Sequence, residues 1–205
     1  MTIPGPKAEP LDERRVLDAA FDVLEANGFE GLTIRRIADV LGVKNPALYW
    51  HFRNKQEIVT GMANRLLDRM TEAPNEASDW RSWLSQAAKT YRRTLLGVRD
   101  GAEILSNANL SRSRHFAEFR RGIEYLGAQG FSERDALLGM MTVFDYALGV
   151  TYEHQADARN VADDPASIPE LFEPTRTGSR EDIRETLFEG GLDLILDGLA
   201  LRRQR

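Results

Sequence analysis

Apolar residues recur along this chain at helical spacing, and no stretch keeps the strict alternation of a half-buried strand. Val16, Ala19, Ala20, Val23 and Leu24 follow the i, i+3, i+4, i+7, i+8 order of one helix face, predicting a helix over 12–27 that Gly28 stops. Ile34, Ile37, Ala38 and Leu41 form a second, shorter stripe, with Thr33 placed to cap its start and Gly42 to end it in a positive-φ turn. Asn45 is expected to cap a third helix with Pro46 at its first position, and Asn54 a fourth, with Glu57 as its capping-box partner. That fourth helix, 55–70, carries Ile58, Met62, Leu66 and Met70 four residues apart. Beyond a polar loop over 71–79, the pattern predicts a helix over 80–98 with Trp80, Trp83, Leu84, Ala87, Ala88, Tyr91 and Leu95 on one face. A short helix and turn follow over 102–110. Further helices are expected from 111 to about 127, from 132 to 155 and from 181 to 203, the last two separated by a Pro- and Asp-rich loop with a turn of helix near 168–172. The predicted fold class is all α.

The stretch 33–55, TIRRIADVLGVKNPALYWHFRNK, carries most of the functional information. Helix, glycine turn, short helix is the helix-turn-helix plan, in which the second helix enters the major groove of DNA. Arg35, Arg36, Lys44, Arg53 and Lys55 face a single acid, Asp39, giving this stretch a charge of +4 in a chain whose net charge is −5. A basic patch on an acidic protein is the electrostatic footprint of phosphate contact. Leu48 and Phe52 read as core, and Trp50 reads equally as core or contact.

Composition narrows the rest. The 205 residues suffice for one or two domains, and 42% hydrophobic with 29% charged is ordinary for a globular protein. There is no cysteine, so neither a disulfide framework nor a thiolate metal site is available. No apolar run approaches the ~20 residues of a membrane span, and the N-terminus lacks a secretory apolar segment. The expected location is the cytoplasm. Residues 1–10 hold three prolines and a glycine and read as a disordered arm.

The motifs EGLTIRRIADVLGV and NPALYWHFRNK resemble the N-terminal domain of the TetR family of bacterial repressors. WLSQAAKTYRRTLLGVRDGAEIL and GIEYLGAQGFSERDALLGMMTVFDYALGVTYEHQ look like the ligand-binding domain of the tetracycline repressors within it. The resemblance implies an N-terminal three-helix helix-turn-helix DNA-binding domain, 11–55, and a helical ligand-binding and dimerisation domain, 56–205. It also implies a homodimer built from the last helix and the long helix before the loop, and that the helix predicted over 55–70 transmits ligand binding to DNA. Gly190, Gly191 and Gly198 inside the last helix fit close approach of two backbones.

Roles on the DNA side follow from residue chemistry. Thr33, Lys44, Tyr49 and Lys55 are candidates for phosphate contact, which fixes register without reading sequence. By resemblance Arg35 matches an arginine that reads a base edge, and Arg suits guanine bidentately. Asn45, Pro46, Ala47 and His51 lie along the recognition element with Trp50. Asn45 suits adenine, the Ala47 methyl suits a thymine methyl, and His51 suits a phosphate or the groove edge. Lys44, Asn45 and Ala47 depart from the residues typical of tetracycline repressors, so a different operator is expected.

The second domain departs further. In the resembling repressors a histidine ligates the metal of a magnesium–drug chelate; Leu105 stands at its position. A second histidine matches Thr71, and an asparagine that grips the drug matches Ala87. Glu153 alone keeps the identity of an acid of the metal's water shell. These changes run from polar to apolar or small. The expected cavity is lined by Leu105, Leu110, Phe116, Phe119, Ile123, Leu137, Met140 and Phe144, with Ala87 beside them and Tyr91 and Thr71 as polar points. It suits a mostly hydrophobic small molecule, and no cofactor or metal is expected. There is no G-x-S-x-G, no phosphate-cradling glycine loop and no H-E-x-x-H, and His51, His115 and His154 are scattered, so no enzyme is expected. The reading is a ligand-responsive repressor, dimeric on a palindromic operator and released by its effector. The alternatives are a helical ligand- or partner-binding protein without specific DNA binding, and a regulator that needs its ligand as corepressor.

Overall fold

A computed structural model describes residues 10–72, 77, 79–110, 113, 115–160 and 179–203. Among them the chain forms nine helices and no strand: α1 (Glu13–Asn27), α2 (Ile34–Leu41), α3 (Asn45–Leu48), α4 (Lys55–Glu72), α5 (Trp80–Leu96), α6 (Gly101–Asn107), α7 (Phe116–Ala128), α8 (Glu133–Asn160) and α9 (Arg180–Arg203).

The starts of the helices are set by short polar side chains. Asp12 accepts the Arg15 N–H at 2.8 Å, Thr33 Oγ1 that of Arg36 at 3.2 Å, and Asn54 Oδ1 that of Glu57 at 2.9 Å. Each satisfies a donor that the helix cannot satisfy itself. Glu57 reaches back to the Arg53 N–H at 2.7 Å, completing a box around the start of α4. Gly42 ends α2 at φ +66°, as expected of a left-handed cap. Asn45 differs from the expectation: α3 already includes it, Lys44 holds the cap position, and no side chain bonds the first turn there. The helix starts on backbone alone, with the Lys44 carbonyl accepting the Ala47 N–H at 2.9 Å. Pro46 is therefore its second residue.

Several ends also move. α4 continues through Thr71 and Glu72, so Thr71 sits on a helix and not in the loop. α5 stops two residues early, at Leu96, and α8 runs past Gln155 to Asn160. The expected arm (1–9), the start of a helix at Ser111 and the turn at 168–172 lie outside the described residues.

α1, α2 and α3 bury Val16, Ala20, Val23, Leu32, Ile37 and Leu48 against one another. Ile58, Val59, Met62 and Ala63 of α4 close that small core. The body is built from α5, α7, α8 and α9, with Leu84, Leu95, Val143, Ala147, Phe188 and Leu192 at its centre. Arg92 is also buried there, on the apolar stripe of α5, where sequence pattern shows only hydrophobic neighbours. It pairs with Glu185 of α9, and its guanidinium lies 4.7 Å from the centre of the Phe188 ring. Tyr146 stacks on the other side of this region, its hydroxyl donating to the Leu187 carbonyl at 3.0 Å. A Cβ at Gly191 would meet that hydroxyl at 2.1 Å. Gly191 thus makes room for a tyrosine of its own subunit and not for a second backbone. Gly190 and Gly198 have open space before them.

Head and body are pinned at one buried turn. Asp100, a non-glycine residue at φ +52° and only 4% exposed, accepts the Phe29 N–H at 2.8 Å through its carboxylate. Next to it Arg99 donates to the Glu25 carbonyl at 2.6 Å. From the body side, Gln155 of α8 donates to the carbonyls of Leu95 and Val98 and accepts the Ala102 N–H, which fixes the turn. Asp100→Ala removes a charge-assisted acceptor and keeps an unfavourable backbone conformation. It is expected to lower unfolding stability by about 2–4 kcal/mol, whereas Asp100→Asn, which tolerates that conformation and keeps an oxygen, should lose about half of that or less. Urea denaturation of the two variants beside the unsubstituted protein checks this; midpoints equal to that protein's would show that the carboxylate holds nothing.

Candidate functional site

Two sites are separated by the length of α4. The first is the face formed by the start of α2, by α3 and by the turn after it. Thr33, Arg35, Lys44, Asn45, Pro46, Tyr49 and Trp50 are all exposed on it. Thr33 spends its oxygen lone pair on the Arg36 amide and keeps its O–H free to donate to a phosphate. Ala47 and His51 are half-buried along the same element. α3 is a single turn, prolonged by bonds from the His51 and Phe52 amides to the Leu48 carbonyl at 3.0 and 2.9 Å. Leu48 and Phe52 turn into the core, as expected. Trp50 is 88% exposed and packs into no core, which removes the core-packing alternative. Lys55 sits at the first residue of α4, half-buried, its ammonium 4.8 Å from the centre of the Phe29 ring. That contact holds the cation at the edge of the basic face.

α4 leaves this face and ends at the second site. Lys55 to Met70 spans roughly 22 Å at ~1.5 Å rise per residue. Along the way Thr60 Oγ1 accepts the Asn109 amide at 3.1 Å, and Asn64 Oδ1 accepts the Ser113 hydroxyl at 2.6 Å. Gln56 donates to the carbonyl of Asn107. The helix is therefore laced to the segment after α6, whose Leu105 lies on the wall of the second site.

That site is a cavity of about 810 Å³, enough for a drug-sized molecule. Of the expected lining, Thr71, Ala87, Tyr91, Leu105, Leu110, Phe116, Phe119, Leu137, Met140 and Phe144 stand on its wall. Ile123 does not; it packs, half-buried, against the main core. Tyr91 and Phe144 meet edge to face at 5.2 Å and Phe119 lies 6.4 Å from Phe144, forming an aromatic corner. Burial pushes the Tyr91 hydroxyl well above its ordinary range, helped by the nearby Asp145 charge, so it stays protonated at neutral pH.

Several wall residues escaped sequence reasoning. Met70 and Trp83 belonged to stripes that looked like core alone, and Leu67, next to the stripe residue Leu66, was on none. His115, Glu118, Arg121 and Asp145 bring the charge and the imidazole that pattern did not place there. His115 is held from another helix: Nε2 lies 3.0 Å from Asp68 Oδ1 and 3.2 Å from the Asn64 carbonyl, both on α4. No sequence signal joins residues about fifty positions apart. Glu153 is exposed on α8 and stands off the cavity wall.

Comparison with known proteins agrees with this geometry. The family described as bacterial regulatory proteins, tetR family, matches residues 16–62, and the tetracyclin repressor-like C-terminal domain matches residues 73–203. The tetracycline repressor protein class A from transposon 1721 of Escherichia coli is 34% identical over 94% of this chain and 92% of its own. The crystal structure of TetR from Acinetobacter baumannii AYE superposes with a TM-score of 0.76 at 33% identity, covering 95% of this chain and 99% of that one. BioQ with its natural double-stranded DNA operator superposes with a TM-score of 0.73 at 30% identity, covering 93% and 99%. An exposed helix-turn-helix joined by one helix to a cavity-bearing helical body, matched over both parts, shows that this chain belongs to the TetR family of transcriptional regulators.

Proposed function

We propose that this protein is a cytoplasmic, homodimeric repressor of transcription that holds a palindromic DNA operator and lets go when a small, mostly hydrophobic molecule fills the cavity. One observation carries the reading: α4 starts at the basic recognition face and ends on the wall of the 810 Å³ cavity. A molecule that binds better to one tilt of α4 shifts the spacing of the two recognition elements in a dimer. We divide the chain at the start of this helix, into a DNA-binding part (11–55) and a ligand-binding and dimerisation part (56–205).

The DNA contacts divide by chemistry. Arg35, Asn45 and Ala47 read base edges, while Thr33, Lys44, Tyr49 and Lys55 hold phosphates; Pro46, Trp50 and His51 line the groove. The second subunit docks on an outward stripe of α8 and α9. Leu194 and Leu201 are 75% and 68% exposed, and share their face with Gly190 and Gly198, which have nothing within 4 Å. On α8, Leu138, Gly149 and Tyr152 are exposed in helical register with them. Exposed leucines flanked by bare glycines are what a helix-on-helix interface leaves uncovered in one protomer.

The residues do not fit a magnesium–tetracycline chelate. Leu105, 3% exposed, and Ala87 occupy the wall where imidazole and amide would be required, and among the described residues no three His, Asp or Glu side chains gather as a metal cage. The effector is therefore an organic molecule held by apolar contact and a few hydrogen bonds.

Selection from random duplex DNA at physiological salt should enrich a palindrome whose half-sites are about one helical turn apart. On that site Arg35→Ala is expected to weaken binding by about ten- to a hundredfold, and Lys44→Ala to flatten the salt dependence by about one unit of slope. Unchanged affinity in both would refute the contact assignment. Leu194→Glu should convert the dimer to monomer in analytical ultracentrifugation and abolish operator binding in step. Ala87→Phe, which fills the cavity, should keep operator binding and lose release by hydrophobic compounds.

A further inference from the structure

The polar atoms of the cavity wall are unbalanced. His115 is largely shielded, its side chain 11% exposed. Nε2 faces two acceptors, Asp68 Oδ1 at 3.0 Å and the Asn64 carbonyl at 3.2 Å, so in the neutral ring the proton belongs on Nε2. Nδ1 then carries a lone pair. It lies 3.9 Å from Oε2 of Glu118, too far for a hydrogen bond, and among the described residues neither atom has a hydrogen-bond partner or contact with solvent. The other oxygen, Oε1, is used: it accepts from Arg121 at 2.7 Å. With the ring neutral, two acceptors shielded from solvent face each other with nothing between them among the described residues, an arrangement that costs free energy until a donor arrives.

The wider wall has the same bias. Among the described residues, Glu118 and Asp145 bring two carboxylates to the lining and Arg121 one guanidinium, which Glu118 already holds. The field of Asp145 reaches into the cavity, since it adds to the elevation of the Tyr91 hydroxyl. An apolar cavity whose described wall carries more acceptors and carboxylates than donors favours a cation on a hydrophobic body.

We propose that the effector is a hydrophobic amine, whose protonated nitrogen is anchored between Nδ1 of His115 and Oε2 of Glu118. This rests on the cavity being the effector site, and it adds the chemical class of what binds there. An ammonium supplies the two donors that the facing acceptors lack. An alcohol offers one donor and no charge, and a carboxylate adds a third acceptor. Glu118 turns to admit the nitrogen; its side chain is 37% exposed, and its partner Arg121 is 68% exposed and can follow. Asp68 and Asn64 keep the imidazole fixed meanwhile, so the anchor is tied to α4, the helix that leads to the DNA face.

The test uses the full-length protein with Nile red as a neutral reporter of cavity occupancy. Matched probes compete for it: 4-phenylbutylamine, 4-phenylbutan-1-ol and 4-phenylbutyric acid. The amine is expected to bind about tenfold or more tightly than the alcohol, and the acid most weakly. In Glu118→Gln and in His115→Phe, each checked for folding by circular dichroism, the amine's advantage should fall to about twofold or less while Nile red still binds. Either variant alone decides the point if the other does not fold. Nile red binding with equal affinity for the three probes, or with the acid preferred, overturns the anchor and leaves the effector cavity standing. No binding of Nile red or of any probe overturns the cavity reading and the anchor with it.

Discussion

Three short helices cannot keep themselves folded. The core of α1–α3 is small, and domains of this size bury too little surface to be stable alone. Burial of Ile58, Val59, Met62 and Ala63 from α4 supplies the missing wall. The other side of α4 packs on α5 and α6, so one helix is shared by two cores. Both cores depend on this sharing. A helix that is indispensable to both ends cannot move at one without the other registering it. The Asp100 turn reinforces the constraint from a second direction, because a buried carboxylate that caps the Phe29 amide gives the head a fixed point on the body.

The body answers a different problem, that of keeping a cavity open within a close-packed protein. Helices α5, α8 and α9 pack tightly behind it, with Arg92, Glu185, Phe188 and Tyr146 locking their junction. A charged group at such a site is held by its partners more than it stabilises, and it fixes the register of α9 against α5. The rigid rear lets the front wall, from α4, α7 and α8, be lined by large apolar side chains that do not close on one another.

Local features were legible in the sequence because local chemistry decides them. The caps at Thr33, Gly42 and Asn54, the apolar stripes of α1 and α4 and the basic face all follow from residues within a turn of each other. Asn45 misled because capping residues and base-reading residues are the same types; at a single-turn helix the backbone closed the turn and left the amide outside. Most of the expected cavity lining lies on its wall, since resemblance supplied the topology that periodicity lacks. His115 was missed because its partners, Asp68 and Asn64, come from another helix, and Arg92 because a stripe shows where a residue points and not what meets it. Gly191 was misjudged for the same reason: the tyrosine that needs its space is on α8.

The three tryptophans fall at places that give the molecule a built-in optical readout. Trp50 is 88% exposed on the recognition face, Trp83 stands on the cavity wall against Tyr125, and Trp80 is buried against Phe131. An indole in water emits to the red of one in an apolar site, and base stacking or a bound aromatic quenches it. The native chain therefore carries one indole on the exposed helix-turn-helix face, one on the cavity wall and, one turn earlier on α5, one buried in the body. Events at the exposed face and at the cavity fall on different rings of unlabelled protein, at wavelengths set by where the fold has put each one.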